Sequence, residues 1–560
     1  MRKGKMLTYI NEQPFESYKM VYRSMTFIVV LFVALISFSC NDIVYETTKM
    51  MVPWPNEVNW KEGGYFTKKE LNLELSDEGL RDVAIFFAME AAPYIKVNLE
   101  STGSEKGLLA LDIDSTLNLS DEGYILEIEA NGIKVRAPSP SGVFYGLKTL
   151  KQLIWANYKE DGVWALPMGV IKDTPRFAWR GLMLDESRHF FGLEKVKQLL
   201  DLMAEHKLNK FHWHLTDEPA WRIEIKAYPK LVQVGSIGDW SNSSLNANFY
   251  TQQQIREVVD YAAARQIEVI PEIDMPGHAS AANRAYPEFS GGGNKEHPDF
   301  TFNPGKEDTY SYLADILREV AAMFPSEYIH IGGDEVHFAN AHWWDDAEVM
   351  SLMERKNLKD LKGVEYYFLN RIADSLGTMG KKIAGWDEIS GSGINRNSSL
   401  VFWWRHDKPE VLTRMIQNGY PTVLCPRIPL YLDFVQHDTH EYGRKWDGAF
   451  GNAVQAYHFP DSLDVEIPIN NPIVGIQACI WTERIANEKR LDFMVWPRLT
   501  AISEAAWTDQ TLKSYDRFLK RLEEFLPFYG ERNIGYFNLL NPNATPEPKW
   551  NNGPNWQNNH

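Results

Sequence analysis

The chain has 560 residues, 44% hydrophobic and 24% charged, which excludes a disordered chain and leaves room for roughly two to four packed domains. Its formal charge of −17 disfavours nucleic acid and anionic surfaces as partners and suits a neutral ligand. Aromatic residues make up 13% of the chain, with 19 Trp. Many of these belong in a core, but exposed Trp at strand ends would suit stacking on sugar faces.

The first element is the apolar run Thr26–Phe38, too short to span a bilayer. Arg23 precedes it and Ser39-Cys40 follows, which reads as a secretory signal peptide over residues 1–40. A Cys directly after a small residue is similar to a bacterial lipoprotein processing site, although Phe38 stands where a small residue is more usual. Cys40 is therefore the expected lipidation position, with a plain cleaved signal as the alternative. The protein is expected to be exported to the periplasm or the outer membrane and cell surface, touching a membrane only through that anchor. Translation starting at Met20 or Met25 would shorten the polar leader. The two remaining cysteines, Cys425 and Cys479, could pair in an oxidising compartment or stay as buried thiols.

Residues 48–173 read as a small α+β domain. Tyr124–Glu129 and Ile133–Ala137 are strand-like around Asn131-Gly132, a hairpin signal, and Ser141–Leu153 reads as a helix. Asp173-Thr174-Pro175 breaks the pattern and marks a boundary. Over residues 174–540, eight apolar runs alternate with helix-length segments: Trp179–Asp185, Lys210–Asp217, Ile267–Asp274, Tyr328–Asp334, Lys382–Asp387, Leu400–Trp404, Thr422–Cys425 and Ile473–Trp481. Leu193–His206 has helical spacing at Val196, Leu199, Leu200 and Met203. This pattern predicts an α/β fold, a parallel (β/α)8 barrel. Ser514–Leu526 closes it as an amphipathic helix, and the Asn- and Pro-rich tail from 541 to 560 reads as loose.

Nearly every run ends in polar or aromatic groups: Asp185 with Arg188, Asp217, Asp274 with His278, Asp334-Glu335, Trp386-Asp387, Trp403-Trp404, Tyr431 with Asp433, and Trp481 with Glu483. In a barrel these converge on the C-terminal face, where active sites sit. The run His330-Ile331-Gly332-Gly333-Asp334-Glu335 is the most telling. Two carboxylates at a barrel mouth suggest glycoside cleavage. Their adjacency argues against an ordinary acid and nucleophile flanking one bond, since neighbours on a strand point to opposite faces. One could be the acid while the other holds a substrate group that acts as nucleophile.

These residues resemble glycoside hydrolase family 20, the β-N-acetylhexosaminidases. The resemblance rests on Arg180–Asp185 with Arg188–Phe191, on Asn209–Asp217, Pro271–His278, Gly332–Glu335, Gly385–Glu388 and Gln477–Glu483. Ser141–Leu147 is similar to the end of that family's accessory domain, and the likeness covers roughly residues 50–540. Asp217-Glu218-Pro219 departs from the family's usual Asp-Asp-Gln. The resemblance implies retaining, exo-acting hydrolysis of terminal β-linked N-acetylhexosamine, assisted by the substrate's own 2-acetamido group. It implies Glu335 as general acid and base, with a pKa raised by an apolar, partly closed site. It implies Asp334 orienting the acetamido N–H and Tyr431 bonding the acetamido oxygen. Asp217 and His278 would form a relay behind Glu335. Trp386, Trp403 and Trp481 would wall the sugar, with Trp404 an alternative to its neighbour. Arg188, Asp433 and Glu483 would hold ring hydroxyls. No cofactor and no metal are implied, and the partner is a carbohydrate.

Two other readings compete. His212-Trp213-His214 has the alternating spacing of a metal pair, though few further His or Cys fall on later strand ends. A sugar-binding lipoprotein without catalysis would fit the Trp content, but a binder has no need of a general acid.

Overall fold

The computed structural model describes residues 49–67, 70–99, 107–160, 164–465 and 471–548. The signal segment with Cys40, and residues 549–560 of the tail read as loose from 541, lie outside the described residues; residues 541–548 are described and include the short 3-10 turn Pro542–Ala544. Among the described residues no helix is long and apolar enough to cross a membrane.

The N-terminal domain is a seven-stranded mixed sheet. Its strands are β1 (Glu57–Thr67), β2 (Glu70–Leu75), β3 (Lys96–Asn98), β4 (Leu108–Ile113), β5 (Tyr124–Glu129), β6 (Gly132–Ala137) and β7 (Trp164–Asp173). The order across the sheet is β1-β7-β5-β6-β4-β2-β3. The hairpin is where the sequence puts it, with Glu129 facing Gly132 across Ala130-Asn131. Sequence reasoning did not resolve β1 to β4 or β7, nor the helix Arg81–Ala91. The helix Pro140–Asn157 lies against the sheet and is almost wholly buried. Ser139 caps it by accepting from the Ser141 and Gly142 N–H groups, and Pro140 suits its first turn.

The second domain is a closed barrel of eight parallel strands. They are β8 (Trp179–Asp185), β9 (Lys210–His214), β10 (Glu268–Met275), β11 (Tyr328–Gly332), β12 (Lys382–Trp386), β13 (Ser399–Trp403), β14 (Thr422–Leu424) and β15 (Ile473–Ile480). Barrel closure comes from β15 pairing with β8. Side chains alternate cleanly between two apolar clusters. Met183, Ile270, Ala384, Trp386, Leu400, Phe402, Val423 and Cys479 fill the barrel interior. Leu182, Phe211, Trp213, Ile329, Ile383, Val401, Trp403 and Leu424 face the surrounding helices. Several expected runs overshoot the strands at their C-terminal ends, at Asp217, Asp334 and Asp387. Those polar residues belong to the loops that follow, as an active face requires.

The two domains meet beneath the barrel. Arg180, near the start of β8, makes a forked pair with Glu122 at 2.7 and 2.9 Å. Lys207, just before β9, reaches Asp173 at 3.1 Å and the Tyr124 hydroxyl at 2.9 Å. Trp507 donates its indole N–H to the same Asp173 oxygen at 2.9 Å. Lys151 on the Pro140–Asn157 helix binds Glu205 at 2.6 Å and Glu90 at 3.0 Å. The accessory domain therefore supports the N-terminal end and leaves the opposite face free.

Candidate active site

The β11 strand delivers the carboxylate pair through a strained turn. Gly332 and Gly333 have φ of 66° and 85°, and Glu335 itself adopts φ 50°. A Cβ on Gly332 would lie 1.6 Å from Asp274 Oδ1, so only glycine lets β10 and β11 approach this closely. His278 also holds a left-handed backbone, at φ 53°. Left-handed non-glycine residues cost energy and cluster at functional sites.

His278 is the hub. Its Nδ1 lies 3.1 Å from Asp217 Oδ1, and its Nε2 faces Asp334 at 3.7 Å and Glu335 at 3.6 Å. The contacts to the pair are ion-pair distances, not hydrogen bonds. Asp217 is fully buried, takes Arg188 at 2.7 Å and His214 Nε2 at 2.9 Å, and is held well below the usual carboxylate range despite its desolvation. His278 is raised well above its ordinary value: burial opposes the charge, but Asp217 and Asp334 outweigh it. It is therefore an imidazolium between acids.

The two catalytic candidates are driven apart. Burial, the largest influence, and the neighbouring Glu335 raise Asp334 to about 7, against the pull of His278. Burial also pushes Glu335 up, but His278, Arg188 and Arg444 together hold it below its ordinary value. This corrects the sequence expectation of a raised Glu335. In the free protein the raised carboxyl is Asp334, because the cations of the pocket converge on Glu335. Its acid role then depends on what substrate does to the pair.

Below the pocket lies a charged layer that sequence reasoning did not assemble. Glu272 Oε2 is 2.5 Å from His214 Nδ1 and 3.0 Å from His212 Nε2, while Oε1 accepts from Trp386 Nε1 at 2.9 Å. His330 Nδ1 approaches Oε1 at 2.8 Å. The donor atoms of His212, Glu272 and His330 lie close enough together to hold a metal ion. Glu272 is hydrogen-bonded to His214 and Trp386 and lies at ion-pair distance from His212 and His330, so this layer fixes the indole from below. His214, raised well above its ordinary value chiefly by Glu272 after the cost of burial, bridges Glu272 to Asp217.

Around the rim, Trp386 and Trp481 stand 5.8 Å apart at 44°, and the Tyr431 ring is 6.1 Å from Trp481. The Arg188 guanidinium lies 5.0 Å over Trp481. Trp403 does not join them. It points outward into the helix layer, whereas Trp404 clusters inside with Trp386 and Tyr431 and donates to Glu388 at 3.1 Å. Strand alternation decides this: Leu400, Phe402 and Trp404 share the inner face. The inward-facing residue of the two is Trp404.

Asp433 and Glu483 face each other across Arg444, whose Nε is 3.2 Å from Asp433 Oδ2 and whose Nη2 donates to Glu483 Oε1 at 2.5 Å. Arg444 escaped sequence reasoning, since a lone Arg in a Gly- and Asp-rich loop carries no motif. Burial raises Asp433 to about 7 against the pull of Arg444. Asp334 Oδ1, His278 Nε2, Asp274 Oδ1, Arg188 Nε, Glu483 Oε2 and both Asp433 oxygens are buried without a hydrogen-bond partner. Such atoms are costly unless something else binds them. Glu218, the departure from the usual motif, approaches His278 at 3.7 Å and is tied to His297 at 2.9 Å, which holds the loop beside the relay.

Comparison with known proteins gives the same picture. The description "Glycosyl hydrolase family 20, catalytic domain" matches residues 177–510, and "Glycosyl hydrolase family 20, domain 2" matches residues 49–174. A β-hexosaminidase of Porphyromonas gingivalis is 33% identical over 86% of this chain, which spans 63% of that longer protein. A β-hexosaminidase of Vibrio furnissii is 33% identical, covering 81% of this chain and 76% of the relative. The crystal structure of an exo-β-N-acetylglucosaminidase from Vibrio harveyi, in complex with N-acetylglucosamine, superposes with a TM-score of 0.79 at 30% identity. It covers 88% of this chain and 79% of that one.

Proposed function

Because the chain belongs to glycosyl hydrolase family 20, we infer that it is an exo-acting, retaining β-N-acetylhexosaminidase that removes terminal β-linked GlcNAc or GalNAc. The observation that carries this is the divergence of Asp334 and Glu335 around one imidazolium. Adjacent acids with opposite shifts cannot both play the same part.

The acetamido oxygen is the nucleophile on the anomeric carbon. Asp334 faces the acetamido N–H, and its charge stabilises the positive oxazolinium as it forms. An N–H donor on Asp334 favours its ionised form, so the proton of the pair passes to Glu335. Glu335 protonates the departing glycosidic oxygen and then removes a proton from the water that opens the oxazolinium. The Asp217–His278 relay keeps a cation beside the pair and absorbs its changes in charge. Tyr431 positions the acetamido oxygen, Trp386, Trp404 and Trp481 enclose the sugar, and Arg188, Asp433 and Glu483 hold its hydroxyls. The reaction needs no cofactor.

The test compares cleavage of an aryl β-N-acetylglucosaminide with that of the plain β-glucoside, using a soluble form that starts after Cys40. Only the acetamido sugar is expected to be cut, with Glu335→Gln slowing it by about 10²–10⁴-fold. Equal cleavage of the glucoside would sink the acetamido mechanism. We also propose export and lipid anchoring through Cys40, supported by the apolar run Thr26–Phe38 and Ser39-Cys40. Cys40→Ser should then move the full chain from the membrane fraction to the soluble one; an unchanged distribution argues for a plain cleaved signal.

A further inference from the structure

The C-terminal segment reaches back to the active face. Glu547 accepts from the Glu441 N–H at 2.7 Å and the Tyr442 N–H at 3.1 Å, one carboxylate oxygen to each. Arg490, fully buried, binds Glu547 at 3.0 Å and the Pro548 carbonyl at 3.2 Å, and also takes the Tyr442 carbonyl. Arg484 donates to the Gly443 carbonyl at 2.9 Å. The next residue is Arg444. Its N–H donates to the Asp433 carbonyl at 3.0 Å, its own carbonyl accepts from Val435 at 3.1 Å, and its side chain bridges Asp433 and Glu483.

An exposed arginine bridging two acids would ordinarily hold little, because ordering its long side chain offsets the attraction. Arg444 is 42% exposed, so its grip depends on how firmly its backbone is held. Three consecutive residues before it are fastened, and Glu547 supplies two of those bonds. Asp433 Oδ1 and Glu483 Oε2, the oxygens opposite those that pair with Arg444, are buried without a hydrogen-bond partner.

We propose that Glu547 is a positioning residue for the sugar pocket. It fastens the strap 441–444, and the strap lets Arg444 hold Asp433 and Glu483 with their free oxygens set for the ring hydroxyls. The proposal rests on the hexosaminidase reading and adds an element from the far end of the chain to it. Preorganised acceptors bind more tightly because less ordering remains for binding.

The experiment measures steady-state kinetics on the aryl β-N-acetylglucosaminide and calorimetric binding of N-acetylglucosamine for the parent, E547A, E547Q, R444A and the double variant R444A/E547A. Loss of a charge-anchored hydroxyl contact is expected to raise KM and Kd about tenfold in E547A, with kcat within about twofold. R444A should show a loss of similar size, and the double variant should be no worse than R444A alone, since both act through one contact. E547Q keeps an acceptor oxygen for the strap and should recover most of the loss, which a merely unfolded tail would not do. Parent-like KM and Kd in E547A, or losses that multiply in the double variant, would overturn the proposal. A parent that binds the sugar but cleaves nothing counts against the hexosaminidase reading, and the Kd series still judges the strap.

Discussion

At the N-terminal end of the barrel, Lys207 and Arg180 are buried beside Asp173 and Glu122 with partners at 3.1 and 2.7 Å. At the C-terminal end, Asp433, Glu483 and His278 are buried and Asp334 is largely so, yet each leaves a buried polar atom without a hydrogen bond. Both regions remove charge from water; they differ in what completes the shell. Below, the accessory domain supplies partners to Lys207 and Arg180, so the charges join two domains, although Glu205 Oε1 in the same network has no hydrogen bond. Above, the gaps are left open to a ligand, which the proposed function takes to be a sugar. Unsatisfied buried atoms in one converging face are therefore a better pointer to function than buried charge alone.

Exchanging a residue at each end breaks the comparison in opposite directions. Lys207→Met removes a partner from buried Asp173 and should cost about 3 kcal/mol of unfolding free energy while kcat/KM stays within twofold. Asp433→Asn should do the reverse, cutting kcat/KM by about 10–100-fold without lowering stability. The pH dependence gives its sign. Burial raises Asp433 to about 7, so the ionised form is disfavoured in the fold, and its contribution to stability falls as pH rises through that value. The Asn variant should therefore gain on the parent between acid and neutral pH. Denaturant melts beside steady-state kinetics decide this. A Lys207→Met enzyme as stable as the parent, or an Asp433→Asn enzyme that unfolds, removes the distinction between the two ends.

The barrel was legible because its strands are short apolar runs that end in polar clusters, a pattern set by burial on both faces. The accessory sheet was less so. Its strands β2 and β4 are half-buried and partly polar, and β3 is three residues long, so only the hairpin and the following helix stood out. Within the site, local motifs located Asp334, Glu335, Asp217 and His278. Trp403 went astray because adjacent tryptophans at a strand end differ only in which face they take, and the register of β13 settles that. Arg444, Glu547 and the Glu272 layer depend on contacts between segments far apart in sequence, which no spacing rule encodes. The charge state of Glu335 belongs to the same class, since it is fixed by cations from three different loops.

A pH profile sharpens the comparison most finely. Asp334 and Glu335 titrate as a pair around His278, and one proton on the pair is what catalysis needs. In the free enzyme Asp334 is the raised member of that pair, at about 7, and Glu335 the lowered one. On the proposed mechanism the acetamido N–H of the substrate favours ionised Asp334 and so places the proton on Glu335. Above the Asp334 value the pair has lost its last proton and no acid remains, so kcat/KM, which reports the free enzyme, should fall as pH rises through about 7. In Asp334→Asn the pair keeps only Glu335, with its lowered pKa, so the residual alkaline limb should move to lower pH. A limb that stays in place in that variant would mean that Asp334 does not hold the catalytic proton, and the division of labour within the pair would have to be reassigned.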